Sequence, residues 1–188
     1  DATSVFTFLT VPFSAGTGIA ADEDGTFVVL AGNGVLYRFT RAGVVTTVAS
    51  GLGGPFAQPA FVRWDVDTGN YIVGLTGGTS SIVRVDRAGN VSVLVPTPIS
   101  SLMALDQHVP SGDFLAVRQT ELLRVGPTGA VRTLASGVPE LNFAWSCAVL
   151  PGGHPDGGGN VAVGRVPLDP NAGSGLYVFD SNTGALVT

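Results

Sequence analysis

The sequence has no lysine, one cysteine and few charged residues, and each shortage excludes a class of protein. Charged residues are 12% of the chain, about half the share of an ordinary soluble domain. The nine basic residues are all arginines and stand singly. They form no basic stripe that could neutralise a phosphate backbone, so we do not expect nucleic acid as a partner. A lone cysteine, Cys147, excludes an internal disulfide and a cysteine-rich metal site.

Long apolar runs are also missing. No stretch approaches the roughly 20 apolar residues that a membrane-crossing helix needs, so we expect no membrane span. No segment combines a helical period with capping residues. Glycine, in contrast, is plentiful, and its 27 residues recur along the chain instead of clustering. This distribution indicates many tight turns between short strands.

The turn glycines form a repeat. Four of them each precede an apolar, β-prone segment and are spaced about 45 residues apart, the length typical of a propeller blade. These are Gly25, Gly69, Gly112 and Gly159. A second series follows 17 to 25 residues later, with a strand before and after each member: Gly43, Gly89, Gly129 and Gly184.

Four short strands per repeat, joined by glycine turns, are typical of β-propeller blades. We therefore predict an all-β fold, a β-propeller of about four four-stranded blades, as a single domain over residues 1–188. The predicted blades cover residues 15–52, 53–98, 99–139 and 140–188. Residues 4–11 are predicted to form an extra outer strand.

The turn patterns resemble those of a known group of propellers. Asp22, Gly25 and Phe27 give the pattern Asp-x-x-Gly-x-apolar, and Gly89 and Val91 give Gly-x-Val. These turns are similar to those of NHL-repeat, gluconolactonase-like and streptogramin-lyase-like propellers, and the resemblance covers nearly the whole chain. Those families usually carry six or more blades, whereas this chain has about four. Three arrangements stay open: a closed four-blade ring, part of a larger ring, or a homo-oligomer that completes the ring.

Candidate ligand-binding residues lie in or beside the loops that frame one face of the propeller. They are Gln58, Arg118, Asn142, Trp145 and Arg165. Arg118 and Arg165 follow Gly112 and Gly159 by the same number of residues. As an equivalent pair they would suit a carboxylate or phosphate, and structurally paired arginines are the alternative. For Trp145 the alternative is a place in the core.

Acidic and histidine-containing turns suggest metal binding only weakly. Asp65 and Asp67 offer oxygens that suit calcium, although aspartates also cap tight turns without any metal. This turn is expected on the rim opposite the candidate binding face. His108 and His154 are expected to be exposed turn residues. Apart from calcium at the aspartate turn, we expect no cofactor.

No set of residues meets the requirements of catalysis, which are an activated nucleophile, a base in reach and a stabiliser of charge. We therefore predict a noncatalytic scaffold that presents loops to a protein, glycan or small ligand. The expected setting is a bacterial protein, secreted or at the cell surface. The resemblance implies an alternative, a metal-dependent lactonase- or lyase-like enzyme. Streptogramin-lyase-like catalysis needs a histidine and glutamate cluster at the channel mouth, and Glu23, Glu121 and Glu140 fall in no matching motif.

Overall fold

The structure is a computed structural model. It describes residues 16–53, 57–77, 81–97, 99, 101–108, 111–142, 144–153, 159–165 and 174–187. These residues form strands and turns, with one short 3-10 helix at Pro139–Leu141. The predicted outer strand at residues 4–11 and His154 lie outside this part of the chain.

The strands form four antiparallel four-stranded sheets, and within each sheet the strands follow chain order. In chain order they are β1 Gly16–Ala21, β2 Phe27–Ala31, β3 Leu36–Phe39, β4 Val45–Ala49, β5 Ala57–Asp65, β6 Asn70–Gly77, β7 Ser81–Val85, β8 Val91–Val95, β9 Leu102–His108, β10 Asp113–Arg118, β11 Glu121–Val125, β12 Val131–Ala135, β13 Ala144–Gly153, β14 Gly159–Arg165, β15 Gly175–Asp180 and β16 Leu186–Val187. The prediction of an all-β propeller with four four-stranded blades is confirmed.

The second strands β6 and β10 are buried on both faces, and β2 and β14 are largely buried. Val28, Ile72 and Leu115 are fully buried at equivalent places on β2, β6 and β10. Both faces of these strands must be apolar, and their near-continuous Val, Ile, Leu and Phe content meets that need. The outermost strands β4, β8 and β12 are more exposed and more polar.

Adjacent blades are joined by shared hydrophobic cores. Within the described ranges, one core joins blades one and two, a second joins blades two and three, and a third joins blades three and four. The innermost strands β1, β5, β9 and β13 pack side by side in this order. They therefore line the central channel.

Backbone contacts at the outer edge also join the blades. The outer strands β4 and β8 each contain a β-bulge, at Val48 and Leu94. The carbonyls of these bulged residues reach the turn glycines of the following blade, Gly89 and Gly129, which both have φ +89°. A Cβ on Gly129 would lie 1.8 Å from the Leu94 carbonyl oxygen. Glycine is required in these turns both for the positive φ and for the close approach.

Buried polar contacts join the blades at the rim where each first strand turns into the second. The Tyr71 hydroxyl donates to the Asp22 carboxylate at 3.0 Å. The Gln107 amide donates to the Asp65 carboxylate at 2.9 Å. The first bond links blades one and two, and the second links blades two and three. This rim is therefore a structural seam between blades.

Candidate functional site

Each innermost strand carries a β-bulge near its start. In β1, β5, β9 and β13 one residue is skipped in the pairing with the second strand of the blade. The skipped residues are Thr17, Ala60, Met103 and Trp145. They occupy the same register position in all four blades. A bulge turns a side chain away from the direction that regular pleating would give it, and bulges are frequent beside functional sites.

The four bulged residues line a single cavity of about 310 Å³. Pro59, Thr76 and Leu102 complete the lining that the structure describes. Because each blade contributes one bulged residue, the cavity lies at one end of the central channel. We call it the channel-mouth cavity.

The chemistry of this cavity is apolar with a few hydroxyls. The Trp145 side chain is 60% exposed, so its ring offers a flat apolar surface. The Thr17 hydroxyl donates to the Leu30 carbonyl at 3.1 Å, which leaves its oxygen able to accept a hydrogen bond. Thr76 supplies a second hydroxyl. None of the seven described lining residues is ionisable.

Trp145 is the one predicted ligand-binding residue found in this lining. Gln58 lies in β5 rather than in the predicted loop, and its backbone is paired with Thr76. Asn142 follows the short 3-10 helix, and its backbone N–H donates to the Pro139 carbonyl at 3.1 Å. Whether any of these residues binds a ligand remains a prediction.

Arg118 and Arg165 occupy the same register position in blades three and four, where they pair with Leu102 and Ala144. Neither is in the described lining of the cavity. Arg118 donates from Nε to the Glu121 carboxylate at 2.6 Å, so this guanidinium is already engaged within its own hairpin. The Nε of Arg165 is buried and has no hydrogen-bond partner among the residues that the structure describes. Joint recognition of an anion by the two arginines stays a prediction.

The aspartate turn lies at the opposite end of the blades. Asp65 is 2% exposed, and its carboxylate accepts hydrogen bonds from Gln107 and Thr68 and lies 3.6 Å from Arg84. Gln107 also donates to Asp67 at 3.2 Å. Within the described ranges, no group of three or more His, Cys, Asp or Glu residues is arranged to hold a metal ion. Calcium at Asp65 and Asp67 remains a prediction.

The prediction that His108 is exposed is wrong, because it is only 3% exposed. His108 is the last residue of β9 and is covered by the fourth blade. Its Nδ1 lies 2.6 Å from the Ser111 hydroxyl, and its Nε2 lies 3.4 Å from the Ser181 hydroxyl. The polar contacts let the ring be buried without an unsatisfied nitrogen. A turn position in the sequence gave no sign of this packing.

An ion pair between two innermost strands takes part in a contact that links three blades. Arg63 on β5 and Asp106 on β9 are 3.3 Å apart. The other carboxylate oxygen of Asp106 accepts a hydrogen bond of 2.8 Å from the backbone N–H of Val149 on β13. Asp106 thereby fixes the spacing of the innermost strands on which the cavity is built.

None of the described helical segments is long and apolar enough to cross a membrane.

No protein-family model and no curated protein matches the sequence, but solved structures do. Virginiamycin B lyase from Staphylococcus aureus matches with a TM-score of 0.67 at 15% identity, over 93% of this chain and 56% of the lyase. A protein of unknown function from Bacteroides caccae matches with a TM-score of 0.60 at 18% identity, over 92% of this chain and 59% of that protein. The extracellular domain described for a hybrid two-component system of Bacteroides thetaiotaomicron has a TM-score of 0.60 at 15% identity. That match covers 88% of this chain and 22% of the other.

These likenesses show the fold. The chain has the β-propeller fold that virginiamycin B lyase and streptogramin B lyase also have, in agreement with the resemblance of its turn patterns to those of streptogramin-lyase-like propellers. It spans a little over half the length of the first matched structures. At such low identity, the names of those proteins describe their own activities and carry no assignment for this chain.

Proposed function

We propose that this chain is a noncatalytic binding propeller whose ligand occupies the channel-mouth cavity. The observation that carries the proposal is the convergence of four bulged residues, one from each blade, on one cavity. A regular inner strand would leave these side chains between the blades. The repeated bulge instead gives the channel a shaped mouth, and concave apolar sites of this kind are where proteins bind small ligands.

The lining selects the class of ligand. No charged side chain is in the described lining, so a charged ligand would lose hydration there without gaining a partner. Trp145 provides a flat apolar ring, and Thr17 and Thr76 provide hydroxyls. An uncharged ligand with one apolar face and peripheral hydroxyls, such as the sugar ring of a glycan, fits this combination.

Catalysis has less support. General acid–base chemistry needs a titratable side chain within hydrogen-bond reach of the reacting group, and the described lining offers none. His108 contacts the hydroxyls of Ser111 and Ser181 at the opposite rim, away from the cavity, and both His108 and Ser181 are buried there. A lyase-like reaction would therefore need groups beyond those that surround the cavity.

We further propose that the protein acts outside a bacterial cell, in a secreted or surface-attached form. One matched structure is described as an extracellular domain of a Bacteroides protein, which supports this setting. Glycans are abundant there, in agreement with the proposed ligand.

The chain carries its own reporter of binding, because Met103 is the only methionine and lines the cavity. Protein labelled with ¹³C at the methionine methyl gives one such resonance. We expect it to shift saturably with at least one sugar among glucose, galactose, mannose and N-acetylglucosamine and their disaccharides. Trp145→Ala should abolish the shift. Val93→Ala, which truncates a side chain 62% exposed on the outer strand β8, should leave it unchanged.

Two results would contradict the proposal. One is a methyl resonance that stays fixed with every sugar up to tens of millimolar. The other is a shift that survives Trp145→Ala. Conversion of the added sugar into a new species, followed in the same spectra, would favour the enzyme alternative instead.

A further inference from the structure

The turn after the third strand is capped by a side-chain oxygen in blades one, two and four. In blade one the Thr40 hydroxyl accepts a hydrogen bond of 3.1 Å from the backbone N–H of Val44. In blade two the Asp86 carboxylate accepts one of 2.8 Å from the backbone N–H of Asn90. Asp180 of blade four accepts hydrogen bonds from backbone N–H groups of the turn that follows it. Each capping oxygen satisfies an amide that the hairpin itself leaves without an acceptor.

Blade three has glycine at this position, Gly126, and so lacks the capping oxygen. The turn is otherwise built in the same way, because the Gly126 N–H donates to the Ala130 carbonyl at 2.8 Å, as the N–H of Asp86 does to the Asn90 carbonyl at 3.0 Å. The Ala130 N–H, which corresponds to the capped amides, has no acceptor among the described residues. Gly126 does not have a positive φ, and a Cβ there would meet no atom closer than 3.6 Å. The backbone therefore allows a side chain that the sequence does not supply.

The unfilled position belongs to a cavity of about 330 Å³, which we call the third-blade cavity. It lies on the side of blade three that faces blade four, because two of its arginines each donate a hydrogen bond of 3.1 Å to Asn182 of blade four. The amide without an acceptor and both guanidinium groups therefore border the same space. The described lining is Asp113, Arg124, Gly126, Ala130 and Arg132.

The two arginines of the third-blade cavity stand directly opposite each other. Arg124 on β11 pairs with Arg132 on β12, and like charges in such a pair repel. In blades one and two the residue opposite the third-strand arginine is Thr46 or Ser92, which carries no charge. Blade three thus adds a positive charge at the place where it also lacks the capping oxygen.

Only one of the two arginines is neutralised by the described residues. The Arg124 guanidinium forms an ion pair with Asp113 and also donates to Ser111 and Asn182. Arg132 donates from Nη2 to the Asn182 carbonyl, and no carboxylate in the described ranges forms an ion pair with it. Arg132 is exposed, so a ligand can reach it. The lining therefore carries one excess positive charge, that of Arg132.

We propose that the third-blade cavity binds the carboxylate group of a small ligand. One carboxylate oxygen accepts the Ala130 N–H and so takes the place that Oδ1 of Asp86 occupies in blade two. The other oxygen accepts from the Arg132 guanidinium, whose planar donors suit a carboxylate. A single negative charge balances the excess positive charge and offsets the repulsion between the two arginines. This inference is independent of the ligand proposed for the channel mouth.

The test is a titration of ¹⁵N-labelled protein with sodium acetate, the simplest carboxylate, with sodium chloride at the same ionic strength as the reference. We expect the Ala130 amide and the Arg132 Nε–Hε resonances to shift saturably with acetate and to stay in place with chloride. Arg132→Ser, which copies Ser92 of blade two, should weaken the acetate affinity by about tenfold or more. A shift of the same size with chloride would show a general salt effect and would overturn the proposal.

A pair of variants at Gly126 tests the position of the ligand. Gly126→Asp should abolish acetate binding, because its own carboxylate would cap Ala130 and pair with Arg132 as the ligand does. Gly126→Ala should keep most of the binding, because a methyl group fits there and provides no oxygen. Circular dichroism and urea unfolding would verify that both variants fold. Acetate binding that survives Gly126→Asp would overturn the proposal.

A distant arginine separates local recognition from overall charge. Arg41→Ser removes an exposed guanidinium from blade one and should leave the acetate affinity unchanged. A loss equal to that of Arg132→Ser would mean that the charge of the whole protein attracts acetate, contrary to the proposal. Titrations with glucuronate and lactate then distinguish two sources of the carboxylate, an acidic sugar and a simple organic acid, by the tighter affinity.

Discussion

The hydroxyl of Tyr71 donates a 3.0 Å hydrogen bond to the carboxylate of Asp22 and so joins the second blade to the first. Burial alone would raise the pKa of Asp22. Hydrogen bonds from Thr26 and Tyr71 and the charge of Arg38 outweigh the burial, and the pKa lies below its usual value. The carboxylate therefore stays ionised between the blades, with its oxygens fully engaged.

Removing the Tyr71 hydroxyl should weaken the junction between blades one and two. We expect Tyr71→Phe to lower the free energy of unfolding by about 1–2 kcal/mol, because Asp22 loses a buried donor while the ring still fills its space. Urea unfolding followed by fluorescence measures the change. Tyr177→Phe is the matched control and should cost much less, since the Tyr177 hydroxyl makes no hydrogen bond to the residues that the structure describes. Equal losses in the two variants would contradict the assigned role.

Alkaline pH should destabilise the protein through the same residue. Burial, together with the hydrogen bond and charge of Asp22, raises the pKa of Tyr71 to about 12 from 10.0. The folded state therefore holds this proton more tightly than the unfolded chain does. The stability is fully present below pH 10 and is lost as the pH rises from about 10 to 12. Unfolding free energies across this interval should fall, and the part of the fall due to Tyr71 should vanish in Tyr71→Phe.

The turn glycines that receive an outer-strand carbonyl should tolerate no side chain. Gly129→Ala would place a Cβ 1.8 Å from the Leu94 carbonyl oxygen, in addition to the strain of a positive φ. Gly137 also has a positive φ but has no atom within 4 Å of the Cβ site, so Gly137→Ala should cost only about 1–2 kcal/mol of unfolding free energy. Denaturant unfolding should show a clearly larger loss for Gly129→Ala. If the two losses were the same, the close approach would not matter.

Cys147 should be chemically silent in the folded protein. Burial raises the pKa of its thiol to about 12, with a smaller contribution from the charge of Asp106, so almost no thiolate forms at neutral pH. A coloured disulfide reagent at pH 8 should react with this single thiol only after denaturant is added. Rapid reaction under native conditions would show that blades three and four do not cover it. The measurement also reports on the third interblade core, to which Cys147 belongs.

Local chemistry explains why much of the architecture could be predicted. Turn glycines such as Gly25 and Gly129 require a positive φ, and alternation such as Leu122-Leu123-Arg124-Val125 is a property of one strand and its own hairpin. Because every blade repeats these local rules, the number of blades and the four strands of each follow from the spacing of the turns. The resemblance of the turns to those of known propellers agreed with the same conclusion.

The residues of the channel-mouth cavity were harder to predict from the sequence. Trp145 was a candidate because it lies beside a loop, whereas Thr17, Ala60 and Met103 gave no chemical signal. Their common position appears once the inner strands of the four repeats are aligned by register. The bulge that turns them into the channel depends on the pairing register with the second strand of each blade, which the residues of the first strand do not reveal by themselves.

The sequence by itself thus determined the succession of strands and turns, since glycine conformations and strand alternation depend on residues close together in the chain. Burial was settled by the tertiary structure, since it depends on what lies beside each blade. Leu122 and Leu176 hold the same register position and have the same side chain, yet one is fully buried and the other is 73% exposed. His108 is hidden for the same physical reason: a neighbouring blade covers it, and no pattern within its own blade records that neighbour.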